Sequence, residues 1–128
     1  MPTPSQTPES EPVALVTGSS QRLGAQIVST LHARGMRVVV HYRHSEDRAR
    51  ALCETLESRR PGSVLLVAAD LASPEAPQEI IDVIRSRWGR LDVLVNNAAV
   101  FYPTPLERST VSDWDEMSGT NLRAPYFL

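Results

Sequence analysis

Lysine is missing from this chain: all 13 basic side chains, set against 15 acidic ones, are arginine. A reaction that needs an ammonium group must take it from outside these residues. Cysteine occurs once, at Cys53, so no internal disulfide can form and a reducing compartment is the natural reading. No apolar run approaches the roughly 20 residues that span a bilayer, and no charged segment followed by an apolar one stands near Met1. The formal net charge of -2 provides neither the basic footprint of a nucleic-acid binder nor a polybasic membrane anchor. Composition therefore points away from nucleic acid and membrane and toward a cytoplasmic protein. His41 and His44 have no cysteine or third ligand at metal-binding spacing, so no metal site is expected. What is present, 128 residues and 14.1 kDa with 41% apolar side chains, suits one domain with one core.

Residues 1–12 carry Pro2, Pro4, Pro8 and Pro12 among Ser, Thr, Gln and Glu, a mix that buries nothing and reads as a disordered tail. From Val13 to Leu128 strand-like apolar runs alternate with helical patterns, the signature of an α/β fold with helices on both faces of a parallel sheet. Strands are expected at Val13–Thr17, Arg37–Tyr42, Val64–Ala69 and Leu91–Asn96. The first helix should run from about Gln21 to Arg34 and stop at Gly35, with Ala25, Ile27, Val28, Leu31 and His32 on its inner side. Ser45 can cap the second, which Pro61-Gly62 ends. Ser73 and Pro74 should open the third as cap and first-turn proline, with Ile80, Ile81 and Ile84 as its stripe and Gly89 as its close. Ser112 should cap a fourth, kinked or broken at Pro125. Right-handed crossovers then favour strand order 3-2-1-4, the N-terminal half of a Rossmann-type doubly wound sheet. Val93 to Val95 would form an unpaired apolar edge, implying that the chain continues in nature or meets a partner.

The most informative stretch is Ala14 to Gly24, a short strand that breaks into a glycine turn and opens a helix. Gly18 permits the tight turn, Gly24 lets the helix lie close on the sheet, and the first-turn amides, near Ser20, Arg22 and Leu23, are left to meet an anion. That is a dinucleotide-phosphate cradle. Arg22 stands where the middle glycine of such a turn usually falls, and its guanidinium could reach a phosphate or a polar substrate edge; otherwise it is a helix-surface arginine. The second strand ends in His41, Tyr42, Arg43, His44 and Ser45, without the acidic residue that would hold a ribose 2'-hydroxyl. Arg43, His44 and Ser45 would attract a 2'-phosphate, which favours NADPH over NADH; the alternative is a solvated basic turn.

Asp70, after Ala68-Ala69, could accept from an adenine amino group while Leu71 covers the ring, or could merely steady the loop. Asn96, Asn97, Ala98 and Ala99 end the fourth strand with small side chains that let backbone approach a cofactor, although Asn97 could equally satisfy main chain in a turn. Phe101 lies just past that strand, where its ring could stack on a flat heterocycle or simply pack. Cys53 has no activating partner in the sequence and reads as inert packing.

The segments TGSSQRLG, HYRHS, AADL, NNAAVFYPTPL and GTNLRAPYFL resemble the short-chain dehydrogenase/reductase family and, within it, the pteridine reductases, over about Val13 to Leu128. The resemblance implies NADPH held by Gly18, Ser20, Arg22, Leu23, Gly24, His41, Tyr42, Arg43, His44, Ser45, Asp70, Leu71, Asn97, Ala98 and Ala99. Phe101 would sandwich a pterin against the nicotinamide, with Arg22 touching substrate as well as phosphate. Asn121 matches the asparagine whose main-chain carbonyl holds a water in the family's proton relay. The catalytic Tyr-Lys pair has no counterpart, since Tyr42, Tyr102 and Tyr126 have no lysine to serve them. Ala99 also departs from the Gly or Ser usual in the family.

The expectation is thus the cofactor half of an NADPH-dependent reductase of a pterin or folate, inactive as this chain alone and tetrameric in full-length form. A non-catalytic nucleotide-binding fragment that needs a partner, or a reductase of another carbonyl such as a 3-oxoacyl thioester, are the alternatives. A signalling receiver is disfavoured because the first strand is followed by no acidic pair and the lysine such domains use is absent.

Overall fold

The computed structural model describes residues 10–128; residues 1–9, most of the stretch read as a tail, lie outside the described residues. Strand β1 (Val13–Val16) and strand β2 (Arg37–Tyr42) are buried along their whole length. This is why both read as near-continuous apolar runs: a strand covered on two faces has no solvent side to mark with polar residues. β3 (Val64–Ala68) and β4 (Val93–Val95) flank them, all pairs parallel, in the order β3-β2-β1-β4 expected from the crossover rule. The register places Leu15 beside Val39 and Leu94, and Val39 beside Leu65.

Two cores result, one per face. Val13, Leu15, Val39 and Val67 pack with Leu71, with Ile80 and Ile84 of α3 (Ala76–Trp88), and with Ala124 of α5 (Ala124–Phe127). Val16, Val38, Val40 and Tyr42 pack with Val28 of α1 (Arg22–Ala33) and with Ala49 and Leu56 of α2 (Glu46–Arg59). Neighbouring strand residues thus alternate between the two helical layers, as the period-2 pleat requires. This is the doubly wound α/β architecture, with β4 at one edge of the sheet.

At the base of the sheet, Arg90 grips Asp92 through two bonds of 2.8 and 2.7 Å, and Asp92 accepts the Val13 amide at 2.8 Å. Glu11 and Pro12, which composition assigns to the tail, offer their carbonyls to the Arg37 side chain and amide, each at 2.9 Å. Among the described residues no helix is long and apolar enough to cross a membrane.

Three local expectations are corrected. α3 begins at Ala76, not at Pro74, because the Asp70 carbonyl accepts the Ser73 amide and holds a turn first; Pro77 then occupies the opening of the helix. α4 (Val111–Ser118) is capped by Thr110, not Ser112: the Thr110 hydroxyl accepts the Asp113 amide while the Asp113 carboxylate accepts the Thr110 amide. Near Pro125 the chain breaks upstream, in a π-helical turn at Gly119–Arg123, and Pro125 itself sits in the first turn of α5. A proline has no N–H for the carbonyl four residues back, so the wider turn precedes it.

Candidate functional site

The cleft opens at the carboxyl ends of β1 and β4, where the strand order reverses, and has a volume of about 430 Å³. Its floor is the turn after β1. Gly18 has φ +62, and a β-carbon on it would lie 3.0 Å from Ala98. Gly24 is tighter still, since a β-carbon there would sit 2.3 Å from the Gly18 carbonyl oxygen and 2.6 Å from the Asn97 side chain. Gln21 precedes α1 in extended conformation and makes no side-chain cap. The first-turn amides, which no α-helix satisfies internally, therefore face the cleft.

Asn97 and Thr17 clamp this turn to β4. The Asn97 side chain donates to the carbonyls of Thr17 and Gly18, both at 3.0 Å, while the Thr17 hydroxyl accepts the amides of Asn97 and Ala98, also at 3.0 Å. The amide hydrogens of Asn97 are thus spent on main chain. Its contribution is to fix where the backbone of Ala98 and Ala99 runs.

The corner between β2 and α2 supplies positive charge, but not in the simple form the sequence suggests. Arg43 pairs with Asp70 at 3.3 Å and with Glu116 of α4 at 3.2 Å, and Glu116 also accepts the Tyr102 hydroxyl at 2.9 Å. Asp70 accepts the Ala72 amide at 3.0 Å, so its carboxylate steadies the loop as well as facing the cleft. Glu116 raises the Tyr102 phenol well above its ordinary value, the opposite of what a proton donor requires. His44 is exposed, Ser45 makes no capping bond, and Arg48 donates to the Gln21 side chain. His41, by contrast, is buried and bonded at both ring nitrogens: Nδ1 accepts the Gly18 amide and Nε2 donates to the Ala69 carbonyl, each at 2.9 Å.

Arg22 is the one non-glycine described residue with positive φ, at 53°. A backbone that glycine would adopt freely is here imposed on an arginine where the turn after β1 enters α1. Every residue assigned above to cofactor binding lines this one cleft, Leu71 from within the core. Phe101 and Asn121 do not line it. Phe101 is 88% exposed, and the Asn121 side chain instead holds Val100, accepting its amide at 2.8 Å and donating to its carbonyl at 2.7 Å. The Asn121 main-chain carbonyl has Pro125 four residues on, which can give it no N–H.

Sequence reasoning missed Gln21, Ala69, Val100 and Thr120 as lining residues. It also missed Glu116, whose contact with Arg43 spans 73 residues and leaves no local signal. Cys53 is half-buried, and burial pushes its thiol up to about 11, in keeping with an inert packing role. Among the described residues no group of His, Cys, Asp or Glu could hold a metal.

A helix N-terminus over a glycine turn, at the reversal point of a 3-2-1-4 parallel sheet, is the Rossmann-type doubly wound α/β architecture. Residues 12–128 match the short chain dehydrogenase family, and the chain belongs to that family. It is 39% identical to pteridine reductase 1 of Leishmania tarentolae, covering 95% of this chain and 53% of that protein. It is 34% identical to the 3-oxoacyl-(acyl-carrier-protein) reductase FabG of Staphylococcus epidermidis, over 88% of this chain and 46% of that protein. It is 33% identical to the short-chain dehydrogenase/reductase FrzI of a Cladobotryum species, over 90% and 44% respectively. The chain therefore spans about half the length of the curated relatives it matches.

Proposed function

We propose that this chain is the NADPH-binding half of a reductase that acts on a pterin-like heterocycle. The observation that carries the cofactor reading is the glycine turn: Gly24 has no room for a β-carbon, so the first turn of α1 lies tight against the turn after β1, and Arg22, Arg43, His44 and Ser45 line the cleft that both open into. In this reading the α1 amides and Arg22 hold the pyrophosphate, His44 and Ser45 the 2'-phosphate, and Asp70 with Leu71 the adenine end. Ala98 and Ala99 let the cofactor lie on the clamped backbone. Arg43 joins them by exchanging a carboxylate partner for phosphate. When bound, NADPH supplies a hydride.

The pterin assignment is supported by the likeness to pteridine reductase 1, by Arg22 in the turn, and by an exposed Phe101 at the carboxyl end of β4, free to stack on a flat ring. The Asn121 carbonyl, which can take no bond from Pro125 four residues on, would hold a water in this reading. Proton donation by a Tyr-Lys pair requires residues outside these 128, which hold no lysine, so the chain alone does not turn over. The complete enzyme is read as a cytoplasmic homo-tetramer.

Titration with NADPH and NADH tests the cofactor reading: equal affinities would remove the preference for NADPH, and binding of neither would remove the cofactor. NADPH oxidation by the natural gene product with biopterin or folate tests the substrate, and no turnover with either removes the pterin. A second reading, reduction of a 3-oxoacyl thioester, is favoured by the likeness to the acyl-carrier-protein reductase. Phe101→Ala separates the two, because losing the ring should cripple a pterin reader and spare a thioester reductase.

A further inference from the structure

His41 makes four hydrogen bonds to the ends of neighbouring strands. Its amide donates to the Ser19 hydroxyl at 3.1 Å and its carbonyl accepts the Ser19 amide at 2.9 Å. Its ring spans the gap between the Gly18 amide and the Ala69 carbonyl. These two partners dictate the proton. A backbone amide can only donate and a carbonyl can only accept, so Nδ1 must be bare and Nε2 must carry the hydrogen. The ring is neutral, and at 2% exposure it has no solvent to turn to.

We propose that His41 is a positioning residue whose neutral ring holds the phosphate turn open for the cofactor, so that its protonation uncouples binding. The proposal rests on the NADPH reading above. A proton on Nδ1 would set N–H against the Gly18 N–H with nothing between them to accept either. Either the ring or the Gly18 peptide must then move. The Gly18 carbonyl lies where a β-carbon on Gly24 would meet it at 2.3 Å, so the turn cannot shift without shifting the start of α1. The cradle amides would leave their places together.

The turn residues Thr17, Gly18 and Ser19 and the bonded Ala69 bring no titratable side chain to the ring. Those at this end of the sheet are Tyr42, Arg43 and His44 on the same strand and its exit, Asp70 after β3, Arg22 on α1 and Glu116 on α4. Asp70 and Glu116 are engaged with Arg43. Burial holds the ring below its ordinary value, opposed only by the bond to Ala69.

Two variants and one spectrum test this in the natural gene product. His41→Asn places an amide oxygen to accept from Gly18 and does not titrate, whereas His41→Gln reaches toward Ala69 and leaves the Gly18 amide without an acceptor. As pH falls from about 7.5 to 5, wild type should lose NADPH affinity more steeply than His41→Asn, the excess measuring protonation of the ring. His41→Gln, folded by circular dichroism, should bind weakly at every pH. The 15N spectrum of the free protein should show His41 as the Nε2–H tautomer. Parallel pH profiles for wild type and His41→Asn would assign the loss to His44 or the phosphate and overturn the proposal alone, as would an Nδ1–H tautomer. Absence of NADPH binding at every pH would overturn the cofactor reading and this proposal with it.

Discussion

Gly24 meets Gly18 so closely that a β-carbon on the former would stand 2.3 Å from the carbonyl oxygen of the latter. The obstacle is backbone, which cannot rotate aside as a side chain would. Gly24→Ala should therefore cost at least about 2 kcal/mol of stability and abolish NADPH binding, because α1 must lift off the turn. Urea unfolding and cofactor titration of the variant check both, and native stability with native affinity would mean that the turn is softer than its packing indicates.

Two buried histidines set the acid side of stability. Burial lowers His32, assisted by Arg60 and Arg59, and burial lowers His41. His32 keeps its proton on Nε2, since the Ser63 hydroxyl donates to the Arg60 carbonyl and must accept from the ring. A group with a depressed folded value binds fewer protons when folded, so stability is complete above the ordinary 6.5 and is lost as pH falls below it. Melting temperatures should hold steady from about pH 8 to 7 and drop between about pH 6.5 and 5, and His32→Gln should flatten part of that drop.

Much of this was legible in the sequence, and the physical reason differs by element. β1 and the Val38–Val40 run of β2 announced themselves because two buried faces favour continuous apolar residues, and the strand order followed from right-handed crossovers together with the Rossmann-type pattern. Helix starts were harder. Thr110 and Asp113 carry a reciprocal cap three residues apart, but Ser112 lies between them as a competing signal. Pro74 and Pro77 both suit a first turn, and only the bond from the Ser73 amide to the Asp70 carbonyl decides between them. The role of His41 was hidden for another reason. Its ring partners lie 23 and 28 residues away, so nothing local to the sequence shows that they require a neutral ring.

Cys53 offers a test of the core. A thiol held at about 11 instead of its ordinary 9.0 is about a hundredfold poorer in thiolate near pH 8. Iodoacetamide should therefore alkylate the native protein about a hundred times more slowly than the urea-unfolded chain. Equal rates would show that the face of α2 carrying Cys53 opens freely.

Arg22 carries a strained backbone and, in the proposed reading, a cofactor contact, and two substitutions separate the two. Its φ of 53° belongs to the left-handed region, where a β-carbon costs about 1 kcal/mol that glycine avoids. Arg22→Gly should relieve that strain and raise the melting temperature, although part of the gain is returned through the greater freedom of glycine in the unfolded chain. Arg22→Ala keeps the strain and loses the guanidinium, so its stability should match wild type. Both variants should bind NADPH about tenfold more weakly, since each lacks the same charged contact at the mouth of the cradle. If Arg22→Gly is more stable and binds as tightly as wild type, the arginine serves something other than the cofactor. A stabilised variant that binds poorly would show why a strained arginine stands where glycine fits the backbone better.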